Sequence, residues 1–291
     1  MPVNIAVPYL LGDRVSLTAV PNCTPVPNVI DDLREQVSER IEADGSRHCI
    51  TVEYQANENE SPHGQGPGPV QEWSAHDDAQ QQARLAHLVL WLVRPTALTF
   101  ATIILAEKRD SQWITGAILN HAPTYALEPN NQNEFTHEDL AAANKVFQAL
   151  NSVSLKGPTR TAILVATKAL CDSNLEFRFI LIWLAMESLF GPEDGREITF
   201  RLSQRVALFL ESDRTMANEM FKTAKDCYGL RSKLVHGFRV ATIDDEKLMK
   251  FSLISETLLR RSLLTILNAA STIQKFDGET REAYLDGLAF R

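Results

Sequence analysis

Arg231 and His236 stand in the stretch YGLRSKLVHG, separated by four residues and followed at once by Gly237. A fixed guanidinium and an imidazole that titrates near neutral pH are the two parts needed to cleave a phosphodiester without a metal ion. Of the seven histidines in the chain, only His236 has an arginine five to seven positions upstream. The competing reading of the pair is structural, with His236 capping helix carbonyls and Arg231 held in an ion pair.

Positions five apart on an α-helix lie about 140° apart around its axis. On a continuous helix, then, Arg231 and His236 do not share a face. Either the helix loosens near its end, or the two side chains serve a cleft completed by another subunit. The negative end of a helix dipole stabilises a cation placed there, which suits a histidine in the last turn working as an acid. Glu187 sits late in a nearly all-apolar segment, where an unpaired carboxylate is costly to bury. It is expected to meet a cation, with Arg231, Arg201 and Arg205 as candidates. Tyr228 lies three residues before Arg231, and Lys233 three before His236, so each shares a helix face with its neighbour. Lys233 is either a phosphate contact or a solvated lysine. Cys227 has no partner in the sequence and reads as an inert thiol.

The elements that must position these residues divide the chain in two. Residues 1–133 look mixed, an α+β part: short strands at 3–7, 14–20 and 49–54, a helix over 27–43 with Asn28 as its N-cap, and a Gly/Pro-rich loop at 56–70. The prolines of that loop remove N–H donors, which argues against a phosphate cradle. A helix is expected from His76 to Arg94, stopped by Pro95, then a strand pair at 96–106 and 113–119 and a linker at 121–134. Residues 134–291 read as helical throughout. Thr136 and Asp139 resemble a capping box. Helices follow at 159–171, Leu175–Phe190, Ile198–Leu210, 214–236 and 248–270, with Gly237 as a C-terminal stop. A short segment at 279–288, with few apolar anchors, is expected to dock loosely. The helix over 175–190 is apolar nearly all round and belongs at the centre of a bundle. The whole is therefore mainly α.

Composition narrows the chemistry. With 44% apolar and 23% charged residues, the chain reads as soluble and globular. It shows no signal peptide and no apolar run long enough to span a bilayer. Cys23, Cys49, Cys171 and Cys227 are scattered, which fits reduced thiols in a cytoplasmic protein. No zinc spacing, nucleophile elbow or Walker motif occurs, so no metal or cofactor is expected. The acidic pairs at 31–32, 77–78 and 244–245 sit where helices begin, and capping explains them. The net charge is −8, yet it is unevenly spread. Residues 1–133 hold 8 Lys/Arg against 16 Asp/Glu, while 134–291 hold 21 of each. Within 201–239, eight cations face four acids, so the Arg–His region is locally basic on an acidic molecule.

From 177 to 237 the chain contains FRFILIWLAMESLFG, then RLSQRVALFLE, then YGLRSKLVHG. An apolar helix with a late glutamate, an arginine-bearing next helix and a Tyr-x-x-Arg-Ser-x-x-Val-His-Gly signature together resemble the ApeA-like branch of the HEPN superfamily. The resemblance covers the helical half and not residues 1–133. It implies a HEPN-type helical bundle and a homodimer in which an Arg-x4–6-His motif from each subunit meets across the interface. It also implies metal-independent endoribonuclease activity on RNA, as in antiviral defence effectors and toxins. Arg231 and His236 carry over as the catalytic pair, and Ser232, Lys233, Tyr228 and Glu187 as supporting or phosphate-binding residues. Catalytic members often place Asn, Asp or His directly after the arginine; here that residue is Ser232. The other reading is a non-catalytic HEPN module that binds RNA, a nucleotide or a partner protein and mediates oligomerisation. Under the nuclease reading, the N-terminal part is expected to sense a trigger, bind a partner or hold activity in check.

Overall fold

A computed structural model describes residues 9–11, 14–19, 23–25, 48–52, 74–95, 102–109, 112–120, 135–152, 155–236 and 244–290. The expected strand at 3–7, helix at 27–43, loop at 56–70, linker at 121–134 and stop at Gly237 lie outside them. The described residues are mainly helical. The chain separates into two compact units, 1–147 and 148–291.

The first unit carries two three-stranded sheets. In one, β2 (Val15–Ala19) lies between β1 (Tyr9–Leu10) and β4 (His48–Val52), antiparallel to both. Val15 and Leu17 are buried while Ser16 is half-buried, the alternation expected of a strand with one face on a core. In the other, β5 (Thr102–Arg109) and β6 (Gln112–Asn120) form the expected strand pair, which is antiparallel, with an irregularity between Leu105 and Ala106. The strand β3 (Cys23–Pro25), not foreseen from the sequence, runs parallel to β6. Helix α1 (Ser74–Val93) packs on β4 and β2 and buries Leu88 through Leu92. Pro95 follows it. Helix α2 (His137–Ser152) opens with the expected capping box. The Asp139 N–H donates to Thr136 Oγ1 at 3.2 Å, and the Thr136 N–H to Asp139 Oδ2 at 2.8 Å. Arg94 Nε also reaches that carboxylate, at 2.8 Å. The division between the units falls inside α2.

The second unit is a helical bundle. It contains α3 (Gly157–Leu170), α4 (Leu175–Phe190), α5 (Ile198–Leu210), α6 (Arg214–Val235) and α7 (Asp245–Leu267). Behind them come α8 (Ala270–Asp277), α9 (Arg281–Asp286) and a 3-10 turn, Gly287–Phe290. Asn174, Asp213 and Asp244 cap α4, α6 and α7 through backbone N–H groups of Phe177, Met216 and Glu246. Helix α4 packs against α3, α5, α6 and α7. Its Phe179, Ile182, Trp183, Ala185, Met186, Leu189 and Phe190 are at most 1% exposed, so it is the central helix that its all-apolar composition calls for.

Two expectations are corrected. The last long helix ends at Leu267, and a separate helix, α8, follows after the Asn268 cap. The 279–288 segment is not loosely docked. Leu285 and Leu288 are buried, and its main anchor is polar. Arg281 Nη2 donates to the backbone oxygens of Ser188, Leu189 and Gly191 at 3.2, 2.8 and 2.9 Å. Arg205 Nη1 donates to Phe190 O at 3.1 Å. Two guanidiniums thus satisfy the carbonyls that the end of α4 leaves open, where a cation also suits the helix dipole. At the opposite sign, Asp277 accepts from Thr159 N at 2.9 Å and Lys156 N at 3.3 Å, capping the start of α3, where the N-cap residue offers no side-chain bond. Phe276 fills the space behind, packed edge-on against Phe190, Phe209 and Tyr284.

Two glycines respond oppositely to a methyl group. At Gly191 an added Cβ would lie 2.5 Å from the Glu187 carbonyl oxygen, so only glycine fits the turn out of α4. At Gly229, inside α6, an added Cβ meets nothing within 4 Å. Replacing Gly229 with Ala is therefore expected to stabilise the protein by about 1 kcal/mol, the usual helix-interior difference. Arg281→Ala, which strands three buried carbonyls, is expected to cost about 3 kcal/mol. Urea denaturation measures both; an unchanged midpoint for Arg281→Ala would show that the carbonyl caps contribute nothing.

Candidate functional site

Helix α6 has a low apolar content, and its buried positions are Ala217, Ala224, Cys227, Tyr228, Leu230 and Leu234. Placed on a helical wheel at about 100° per residue, these centre on the direction of Arg231. An arginine has been set in the middle of the face that packs into the bundle, and its side chain is only 17% exposed. Such a cation is tolerable only with a charged partner.

The partner is Glu187, on the last turns of α4, also 17% exposed at its side chain. Arg231 Nη2 lies 3.0 Å from Glu187 Oε1 and donates to Oε2 at 3.1 Å. Arg201 and Arg205, the other cations considered for Glu187, are instead paired with Glu282 and Asp286 of α9. The Tyr228 hydroxyl donates to Glu187 Oε1 at 2.5 Å. The Arg231 guanidinium carbon sits 5.4 Å from the centre of the Tyr228 ring, one turn earlier on the same face. Behind Tyr228, the Trp183 ring meets it edge-on with centroids 5.5 Å apart. The Trp183 indole N–H donates to Ser255 Oγ at 2.9 Å, and that hydroxyl to Phe251 O at 2.7 Å. Glu187 thus receives two donors from α6, while Trp183 and Ser255 brace the ring of Tyr228 against α7.

Two polar atoms of Arg231 remain without a bond among the described residues. Nε is buried with no acceptor, and no hydrogen bond is made by Nη1. The guanidinium is held through one nitrogen, and its Nε is sealed from solvent.

His236 lies elsewhere on α6. Its N–H donates to Ser232 O at 3.1 Å, so the helix continues through Arg231 to His236 without loosening. The side chain is exposed at the helix end, about 140° around the axis from Arg231. Lys233 is exposed and Ser232 half-buried. The structure therefore gathers Glu187, Tyr228 and Arg231, and sets Lys233 and His236 on the outer side of the same helix. The support from Trp183 and Ser255 was not foreseen, since a tryptophan in an apolar run gives no sign that its N–H is bonded. Cys227 is buried beside this site, and burial pushes its thiol up to about 12, which leaves it a neutral packing group.

Among the described residues no group of three or more His, Cys, Asp or Glu side chains could hold a metal ion, and no helix is long and apolar enough to cross a membrane. Fold and site together define a mainly helical protein with a braced Arg–Glu–Tyr cluster in its second unit. Comparison with protein-family models, with curated proteins and with solved structures finds no match.

Tyr228 supplies a test of the cluster. Burial, and then the Glu187 carboxylate, push its phenol above the ordinary tyrosine value, with Arg231 pulling weakly the other way. A group whose folded pKa is raised contributes stability below its unfolded value, about 10, and loses it as pH rises further. Relative to Tyr228→Phe, the natural protein is expected to lose stability progressively above about pH 10. Urea midpoints collected across that range measure the difference, and parallel curves would mean that Tyr228 titrates as if exposed.

Proposed function

We propose that this chain is a metal-independent endoribonuclease of the HEPN type, acting in the cytoplasm as an effector in bacterial antiphage defence or in a toxin–antitoxin pair. The observation that carries the proposal is the placement of its two reactive groups on one unbroken helix. Arg231 is fixed from behind by Glu187 and Tyr228, while His236 is exposed at the helix end and turned well away from it. Neither makes a site alone. A second copy of the chain, bringing its own α6 alongside, would set the His236 of each subunit near the Arg231 of the other.

The chemistry follows from these two groups. One His236 takes the proton of a ribose 2′-OH, and the 2′-oxygen attacks the adjacent phosphorus. The 5′-oxygen leaves with a proton from the second subunit's His236. The Arg231 guanidinium donates to the non-bridging oxygens as negative charge builds on the phosphorane. The products are a 2′,3′-cyclic phosphate and a 5′-OH, and DNA, which lacks the nucleophile, is left intact. Glu187 keeps the guanidinium oriented and Tyr228 keeps Glu187 in place.

A second reading has its own observation. The carboxylate of Glu187 already neutralises Arg231, and Ser232 stands where catalytic members often carry Asn, Asp or His. Both features favour a non-catalytic HEPN module that binds RNA, a nucleotide or a partner protein and serves oligomerisation.

Incubating the purified protein with mixed RNA in excess EDTA separates the two. The nuclease reading expects cleavage that survives chelation and falls by at least about a hundredfold in both Arg231→Ala and His236→Ala, the scale of a lost acid–base or charge-stabilising group. Equal cleavage by the natural protein and both variants would sink it. RNA bound but uncut by every form would support the non-catalytic module.

A further inference from the structure

The outer side of α6 has a composition unlike its inner side. At about 100° per residue, Lys222, Lys225, Gly229, Lys233 and His236 fall within a sector of roughly 80° and extend over about 21 Å of helix. All four side chains are exposed, and Gly229 is half-buried. Asp226 and Glu219 border one edge of the sector, and Phe221 the other.

Three observations characterise this stripe, and the second and third set it apart from an ordinary solvated face. The first is pairing. Arg178, Arg201, Arg205, Arg231, Arg261 and Arg281 each sit on a carboxylate. Lys222, Lys225 and Lys233 make no ion pair among the described residues, and the one contact of Lys225 is with the Phe221 ring at 5.9 Å. The ion-paired cations of this unit are guanidiniums, and its lysines, those of α6 among them, make no ion pair among the described residues.

The second is Gly229. A glycine in a helix interior weakens the helix, and here no neighbour requires the missing side chain. It leaves bare backbone midway between Lys225 and Lys233, where a chain lying along the helix can approach closely.

The third is aromatic. Phe200 of α5 is 46% exposed and rests edge-on against Phe221, with ring centroids 5.4 Å apart. An exposed ring beside a row of cations is the combination that holds a single strand, through stacking on its bases and attraction of its phosphates.

We infer that this face of α6 is a track for a single-stranded nucleic acid, with the sugar–phosphate backbone along Lys222, Lys225 and Lys233, a base on Phe200, and the strand led to His236. The inference deepens the nuclease reading and rests on it for the fate of the strand, but not for its binding. Lysines read phosphate charge without regard to the sugar, so the track takes RNA and DNA strands alike, and selectivity for RNA arises at the 2′-OH during cleavage.

The test uses the full chain and a fluorescent single-stranded oligodeoxythymidine of about ten nucleotides, which binds without being cut. Affinity is followed by anisotropy from low to physiological salt. Lys222→Gln/Lys225→Gln/Lys233→Gln is expected to reduce the log–log salt slope by about 2, as three phosphate contacts on a single strand require. Phe200→Ala is expected to weaken binding about tenfold with the slope unchanged. Lys168→Gln, an exposed lysine on α3, leaves the slope nearly as it was. Gly229→Ala, which strengthens the helix, is expected to weaken binding all the same. An unchanged slope in the triple variant overturns the track, as does a polyglutamate competitor that displaces the strand as well as unlabelled DNA does, which would assign the face to an acidic protein. Absence of RNA cleavage with DNA binding and salt slope intact would sink the nuclease reading alone.

Discussion

The second unit depends on a single requirement: a helix buried over most of its surface must find partners for each polar group it buries. Helix α4 meets that requirement by tying itself to a neighbouring element at each stage of its length. Near its start, Arg178 reaches Glu256 of α7 at 2.6 Å, with both side chains almost fully buried. In the middle, the Trp183 indole bonds to Ser255. Near the end, Glu187 takes Tyr228 and Arg231 of α6. Past the last turn, its carbonyls take Arg205 and Arg281. Apolar packing alone would let neighbours slide along or rotate about such a smooth cylinder. The polar ties fix axial position and rotation, because each costs several kcal/mol to leave unmade in the interior.

That fixation bears on what Arg231 can do. A guanidinium on a solvated helix samples many rotamers, and ordering it for a phosphate costs entropy at the moment of binding. Here the ordering is done on folding, by a carboxylate that is itself held by a phenol. The same contact neutralises part of the charge that a phosphate would feel. The arrangement exchanges strength of attraction for definition of geometry, which suits a group that must act on a transition state more than one that must capture a ligand from solution. Under the proposed function, capture would fall to the lysines on the outer side of α6, which make no ion pair among the described residues.

Much of the helical half was legible in the sequence. The bounds of α4 follow from its apolar run and from the Gly191-Pro192 pair after it, and the Thr136–Asp139 box marks the start of α2, because capping and periodicity are local signals. That Glu187 needs a cation was legible too, since an apolar context makes a lone carboxylate conspicuous. Which cation it takes was not, because the choice among Arg231, Arg201 and Arg205 depends on how three helices rotate. The break at Asn268 was missed because α8 continues the helical pattern almost without interruption. The docking of 279–288 was missed for a different reason. Its anchor is an arginine, and a search for apolar periodicity cannot tell a guanidinium bound to buried carbonyls from one in water. In the first unit, β3 is three residues long and pairs in parallel with a distant strand, so neither length nor alternation could announce it.

The opposite-signed caps Asp277 and Arg281 have a consequence in time. Their partners in the chain, Thr159 and Leu189, precede them by 118 and 92 residues. As the polypeptide leaves the ribosome, α3 and α4 emerge long before the side chains that finish their ends, and the central helix waits with its last carbonyls open. The ends of α3 and α4 are therefore finished last, once Asp277 and Arg281 have been made, with loops of that length to close. A nascent chain halted before that point would have α3, α5, α6 and α7 to pack on α4, but would leave the carbonyls of Ser188, Leu189 and Gly191 without their guanidinium partner.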